Sequence, residues 1–91
     1  MRKVEALKFW APWCSPCKAL STILEDVEID NYNIDEEEGA ELAKQFGIRS
    51  IPTIVFVVDG SEVHRKSGII TKEDYLETLE KLQNGTGTTT T

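Results

Sequence analysis

The sequence predicts an α/β domain: a four-stranded mixed sheet with helices on both faces, in the order strand, helix, strand, helix, strand, strand, helix. Three observations carry that expectation. Apolar residues recur at helical spacing in two stretches, Leu20-Ile23-Leu24-Val27 and Tyr75-Leu76-Leu79-Leu82. The run Ile54-Val55-Phe56-Val57-Val58 has no polar break, as expected of a strand covered on both sides. Asp59-Gly60 follows it as a hairpin turn signal. A right-handed crossover makes the first two strands parallel, and the hairpin makes the last two antiparallel.

Taken in order, Val4-Glu5-Ala6-Leu7-Lys8-Phe9-Trp10 ends in aromatics and reads as the first strand. Pro12, Ser15 and Pro16 break it. The helix that follows carries its apolar face from Leu20 to Val27. Glu28 to Ile34 reads as a short strand that hands over to Asp35 as a helix N-cap. Glu36, Glu37 and Glu38 then sit where negative charge meets the positive end of the helix dipole. That helix runs to about Phe46, with Gly47 as its left-handed C-cap. Thr53 to Val58 is the buried strand, and Ser61 to Ser67 returns from the hairpin as a more polar edge strand. Thr71 with Asp74 is a variant of the capping box, and its helix stops at Asn84-Gly85. A single domain is expected over residues 1–84, with 85–91 a frayed Gly/Thr tail that offers no core-forming residue.

The chain has 91 residues, 10 Lys and Arg against 16 Asp and Glu, and a net charge of −6. This balance speaks against nucleic acid, whose phosphates require clustered cations, and against an anionic membrane surface. No apolar run approaches the roughly 20 residues that span a bilayer. Met1-Arg2-Lys3-Val4-Glu5 does not lead into a secretion signal, so the expected location is the cytoplasm.

The two cysteines, Cys14 and Cys17, form a C-x-x-C pair. Their loop is too short to staple a secreted fold, which leaves a zinc half-site or a redox dithiol. Zinc takes four protein ligands, or three with a water. The chain adds only His64, on the polar strand beside Arg65 and Lys66, where a solvated side chain is expected, so a zinc site requires a dimer. No metal is expected. A redox role suits the position of the pair, where the first strand meets the first helix. Cys14 at the helix N-terminus lies under unpaired N–H groups that favour a thiolate, and the thiolate is the nucleophile. Pro16 suits the first turn, and Cys17 lies one turn in.

Phe9-Trp10-Ala11-Pro12-Trp13-Cys14-Ser15-Pro16-Cys17-Lys18 resembles the active-site segment of thioredoxins. Asn33-Ile34-Asp35, Phe46-Gly47-Ile48-Arg49-Ser50-Ile51-Pro52-Thr53 and Gly68 match in the same order, and the likeness covers residues 4 to 83. The strand and helix that full-length members carry ahead of this stretch have no counterpart here. The resemblance implies a thioredoxin-like βαβαββα fold with Cys14 as attacking thiol, Cys17 as resolving thiol and Pro52 as the cis-proline facing them. It also implies that Ile51 presents its backbone to an extended substrate, with Trp13, Ile34, Ile51, Gly68 and Ile69 as a shallow rim. Without the resemblance, Ile34, Ile51 and Ile69 read as core residues and Trp10 as packing.

Two departures stand out. Lys8 occupies the position of the family's buried Asp, and Asn31 that of a neighbouring Lys. A charged Lys8 lowers the pKa of Cys17, a neutral one accepts its proton, and one that snorkels to solvent leaves the proton to water. Ser15 replaces the usual Gly between the cysteines, a pair of positions that influences redox poise.

The function expected is reduction of protein disulfides by a monomer that needs no cofactor beyond its own Cys14–Cys17 couple. The implied partners are disulfide-containing proteins and a thioredoxin-reductase-like or other dithiol electron donor. A glutathione-dependent thioltransferase is a rival, opposed by Ser50-Ile51-Pro52 and the single Gly68. A docking module using the same rim is another.

Overall fold

The computed structural model describes residues 2–85. Seven elements follow one another: β1 (Glu5–Trp10), α1 (Ser15–Ile23), β2 (Asp30–Asn33), α2 (Glu37–Gln45), β3 (Thr53–Val58), β4 (Ser61–Ser67) and α3 (Lys72–Gln83). The sheet order is β2-β1-β3-β4. β1 pairs parallel with β2 and antiparallel with β3, and β3 pairs antiparallel with β4.

Strand alternation divides the interior into two layers. Ala6 of β1 and Ile54 and Phe56 of β3 face α1 and α3, where they meet Leu20, Leu24, Tyr75 and Leu82. Leu7, Phe9, Val55 and Val57 face the other way, towards Leu42, Ala43 and Phe46 of α2 and its C-cap. Aromatic rings back each layer: Phe56 and Tyr75 lie 5.9 Å apart between centroids, as do Phe9 and Tyr32. Pairs of this kind add about 0.5–1.5 kcal/mol beyond the area they bury.

Several local expectations correspond closely to the structure. Asp59 and Gly60 both take positive φ, 52° and 83°, as a two-residue hairpin with the strands' own twist requires. Gly47 has φ 65°, and the N–H groups of Gly47 and Ile48 donate to Lys44 and Ala43 carbonyls, closing α2 in a Schellman motif. Thr71 caps α3 by accepting the Asp74 N–H at 2.9 Å.

Other boundaries differ. α1 ends at Ile23, four residues before Val27, because the chain tightens into three-residue turns at Glu25 and Val27. Val27 still packs on the core, but from the turn. β2 is shorter than Glu28–Ile34, since only Asp30–Asn33 find register partners on β1. The N-cap of α2 is Glu36, not Asp35, and it caps with no side-chain hydrogen bond. Leu76 is 44 % exposed rather than part of the buried stripe of α3. His64 is half-buried against the Phe56 ring instead of solvated. Of the tail expected over 85–91, Gly85 still belongs to the end of α3, with φ 77° and its N–H on the Leu82 carbonyl at 3.0 Å, and residues 86–91 lie outside the described residues. Among the described residues no helix is long and apolar enough to cross a membrane.

Candidate redox site

Cys14 is the N-cap of α1 and Pro16 stands in its first turn. The Cys14 sulfur accepts the Cys17 N–H at 3.2 Å, so one unpaired donor of the helix start is satisfied by sulfur. The first turn of α1 holds no acidic side chain to offset the positive end of the helix. When the pair is reduced, that N–H and the helix dipole both favour the Cys14 thiolate. In the structure the two sulfurs are joined as a disulfide, with Cα atoms 5.2 Å apart.

The two cysteines are not equivalent. Cys14 retains 5 % exposure and Cys17 only 1 %. With Ala11 they form a small buried cluster, against which Trp10, Ile34 and Ile51 pack. Ile51 reaches the site along the chain from the other side: its carbonyl oxygen lies 3.8 Å from the Cys14 sulfur. The Ile51–Pro52 peptide bond is cis, and Pro52 accepts the Gly68 N–H at 2.9 Å. That bond joins three of the expected site positions, Ile51, Pro52 and Gly68, into one loop edge beside the disulfide. Among the described residues, neither the N–H nor the C=O of Ile51 has a backbone partner.

The rim is partly apolar and partly open. Ile34 and Ile51 are half-buried, whereas Trp13 is 66 % and Ile69 53 % exposed. Reading Ile69 as a core residue therefore fails, and Ile34 and Ile51 stand between core and surface. Trp13 does not pack into the cluster. Its indole N–H donates to the Asp35 carboxylate, with distances of 3.1 and 3.4 Å to the two oxygens. In the sequence Asp35 was legible as a helix cap and as part of the Asn33-Ile34-Asp35 match, not as a partner of Trp13. Its backbone N–H is already taken by the Asn33 side chain at 2.9 Å, and its carboxylate is left to hold the rim.

Lys8 lies on β1, 3 % exposed, with its amine donating to Ser21 Oγ at 2.9 Å. Ser21 is one turn beyond Cys17 on α1 and is exposed. The stem of Lys8 is thus enclosed while its head is held at the helix edge, rather than hanging free in water. Burial pushes the Lys8 pKa below the ordinary 10.5. Lys8 lines a cavity of about 290 Å³ together with Ser21, Glu25 and Asn31. A larger cavity, about 560 Å³, lies between the start of β1 and α3 and includes neither cysteine nor Pro52. Among the described residues no three His, Cys, Asp or Glu side chains converge as a metal site.

The thioredoxin family model matches residues 2–81. A thioredoxin of Bacillus subtilis is 37 % identical over 79 residues, which cover 80 % of this chain and 76 % of that protein. Thioredoxin 1 of a Nostoc species is 34 % identical over 79 residues, covering 80 % and 74 %. The solved structure of a mutant thioredoxin from Halobacterium salinarum superposes with a TM-score of 0.78 at 26 % identity, covering 90 % of this chain and 76 % of that one.

Proposed function

The chain belongs to the thioredoxin family and is a thiol–disulfide oxidoreductase, and from that premise we propose that it reduces disulfides in proteins. The observation that carries this reading is the asymmetric disulfide: Cys14, the more exposed sulfur, caps α1 beside the Ile51 backbone, which has no backbone partner among the described residues. In the reaction the Cys14 thiolate attacks a substrate disulfide. A Cys14–substrate S–S bond forms, the substrate S–S bond breaks, and the leaving thiolate takes a proton. Cys17, deprotonated, then attacks the Cys14 sulfur and releases the second substrate thiolate. Two electrons have passed to the substrate, and Cys14–Cys17 is left oxidised.

Extended substrate is proposed to lie along Ile51 as a short added strand, with Pro52 and Gly68 setting that edge and Trp13, Ile34 and Ile69 as the apolar rim. Lys8 is proposed to act through its charge on Cys17 from β1, with its amine at Ser21, one turn of α1 beyond Cys17. The couple itself serves as the redox group, without a further cofactor. A dithiol donor of the thioredoxin-reductase kind restores it, and the protein works as a monomer in a reducing compartment such as the cytoplasm.

The test is turnover on a disulfide-bonded protein with a dithiol donor. Cys14→Ser abolishes reduction, and Cys17→Ser accumulates a mixed disulfide visible by mass spectrometry. Turnover that survives Cys14→Ser rejects the reading. A redox titration of the couple against glutathione checks direction, because a strongly oxidising potential reassigns the protein as a disulfide donor.

A further inference from the structure

Between Ser50 and Ser67 lies a pair of hydroxyls that the chemistry above does not use. Thr53 opens β3, is 2 % exposed, and donates its Oγ1–H to the Ser50 carbonyl at 2.7 Å. That bond closes the four residues Ser50-Ile51-Pro52-Thr53 into a side-chain-locked turn. Thr53 has one hydroxyl proton and Ser50 takes it. The 3.3 Å contact between Thr53 Oγ1 and Ser67 Oγ is therefore donated by Ser67. Thr53 and Ser67 face each other in the β3–β4 register, and the residue after Ser67, Gly68, holds the Pro52 carbonyl through its N–H.

The turn is thus gripped twice, by a hydroxyl relay from Ser67 through Thr53 to Ser50 and by Gly68 on Pro52. What it presents outward is the Ile51 backbone, which has no backbone partner among the described residues and whose carbonyl lies 3.8 Å from the Cys14 sulfur. A β-bridge to an incoming chain needs that N–H and C=O held in one plane and at one depth relative to the sulfur. We propose that Thr53, supported by Ser67, is a positioning residue that holds the Ile51 edge in register with Cys14, and so selects polypeptide disulfides over small ones. This rests on the proposed reduction of protein disulfides and assigns which side chains build its substrate-binding edge.

The experiment compares two substrates of the same dithiol. One is a disulfide-bridged peptide long enough to lie along Ile51, and the other is 2-hydroxyethyl disulfide, which has no strand to lay down. Thr53→Val keeps the branched shape and removes the hydroxyl. It is expected to raise KM for the peptide about five-fold, the order of one neutral hydrogen bond, with kcat and the potential of the couple unchanged. Reduction of 2-hydroxyethyl disulfide stays at the parent rate, and Thr53→Ser restores the peptide KM. Ser67→Ala removes only the outer hydroxyl and gives a smaller shift of the same kind, which keeps the test open if Thr53→Val does not fold. Equal losses on both substrates, or no change on either, overturn the inference while parent turnover stands. A parent protein that leaves the peptide unreduced overturns the functional reading itself.

Discussion

The indole nitrogen of Trp13 is tethered to the carboxylate of Asp35, 22 positions further along the chain, at 3.1 Å. Trp13 immediately precedes Cys14, and Asp35 lies between β2 and α2. The bond therefore ties the approach to α1 to the far edge of the sheet. Asp35→Ala is expected to shift the Trp13 indole N–H proton resonance upfield and to speed its exchange with water. Both groups are exposed, so stability falls by less than about 0.5 kcal/mol. An unchanged indole resonance removes the tether.

Lys8 carries a pH signature. The unfolded chain holds this proton up to about pH 10.5, whereas burial makes the folded protein release it earlier. Over the window between the lowered value and 10.5 the unfolded state binds more protons, so stability rises with pH. Lys8→Met keeps the buried stem and removes the charge. Urea midpoints of the parent, referred to those of Lys8→Met, are expected to climb as pH approaches 10.5. If Lys8→Ala and Lys8→Asp both leave the Cys17 titration and the turnover unaltered, Lys8 has no part in the reaction.

Tyr75 works in the opposite sense. Burial, reinforced by the charges of Asp30 and Glu28, pushes its pKa up to about 12. Between pH 10 and 12 the unfolded chain has lost the phenolic proton and the folded chain has kept it, so stability falls as pH rises. Tyr75→Phe removes that fall. It also forfeits the 3.2 Å bond from the phenol to the Glu28 carbonyl, about 1 kcal/mol at neutral pH. Thermal melts at pH 7, 10 and 11 separate the two effects.

Gly39 is expected to invert a familiar rule. Alanine in a helix interior ordinarily gains about 1 kcal/mol over glycine. Here an added Cβ meets the Asn33 carbonyl oxygen inside contact distance and its carbon at 2.6 Å, and both are backbone of β2. Gly39→Ala is expected to destabilise by about 1–3 kcal/mol in urea. Because Ile34 follows Asn33 directly, Gly39→Ala also disturbs the rim. Equal or greater stability rejects the close approach.

Much of this protein was readable locally. The cap at Cys14, the Asp59-Gly60 turn, the left-handed Gly47 and the Thr71 cap each depend on atoms within about five residues of one another, a range that residue spacing encodes directly. The two-sided burial of β3 followed from an unbroken apolar run, and the spacing of Cys14 and Cys17 placed the redox centre at the start of α1.

Tertiary structure decided which partner each long-range group met. Asp35 had the composition of a cap, yet Glu36 takes that position, and the parallel pairing of β1 with β2, which sets Trp10 beside Asn33, brings the Trp13 indole to the Asp35 carboxylate. Lys8 left three fates open, and the approach of α1 to β1 placed Ser21 at its amine. Ile51 lies 37 positions from Cys14, and the antiparallel placement of β3 beside β1 delivers it to the sulfur. Side-chain chemistry and short-range geometry are properties of the chain itself, whereas a neighbour tens of residues away is set by how strands order in the sheet.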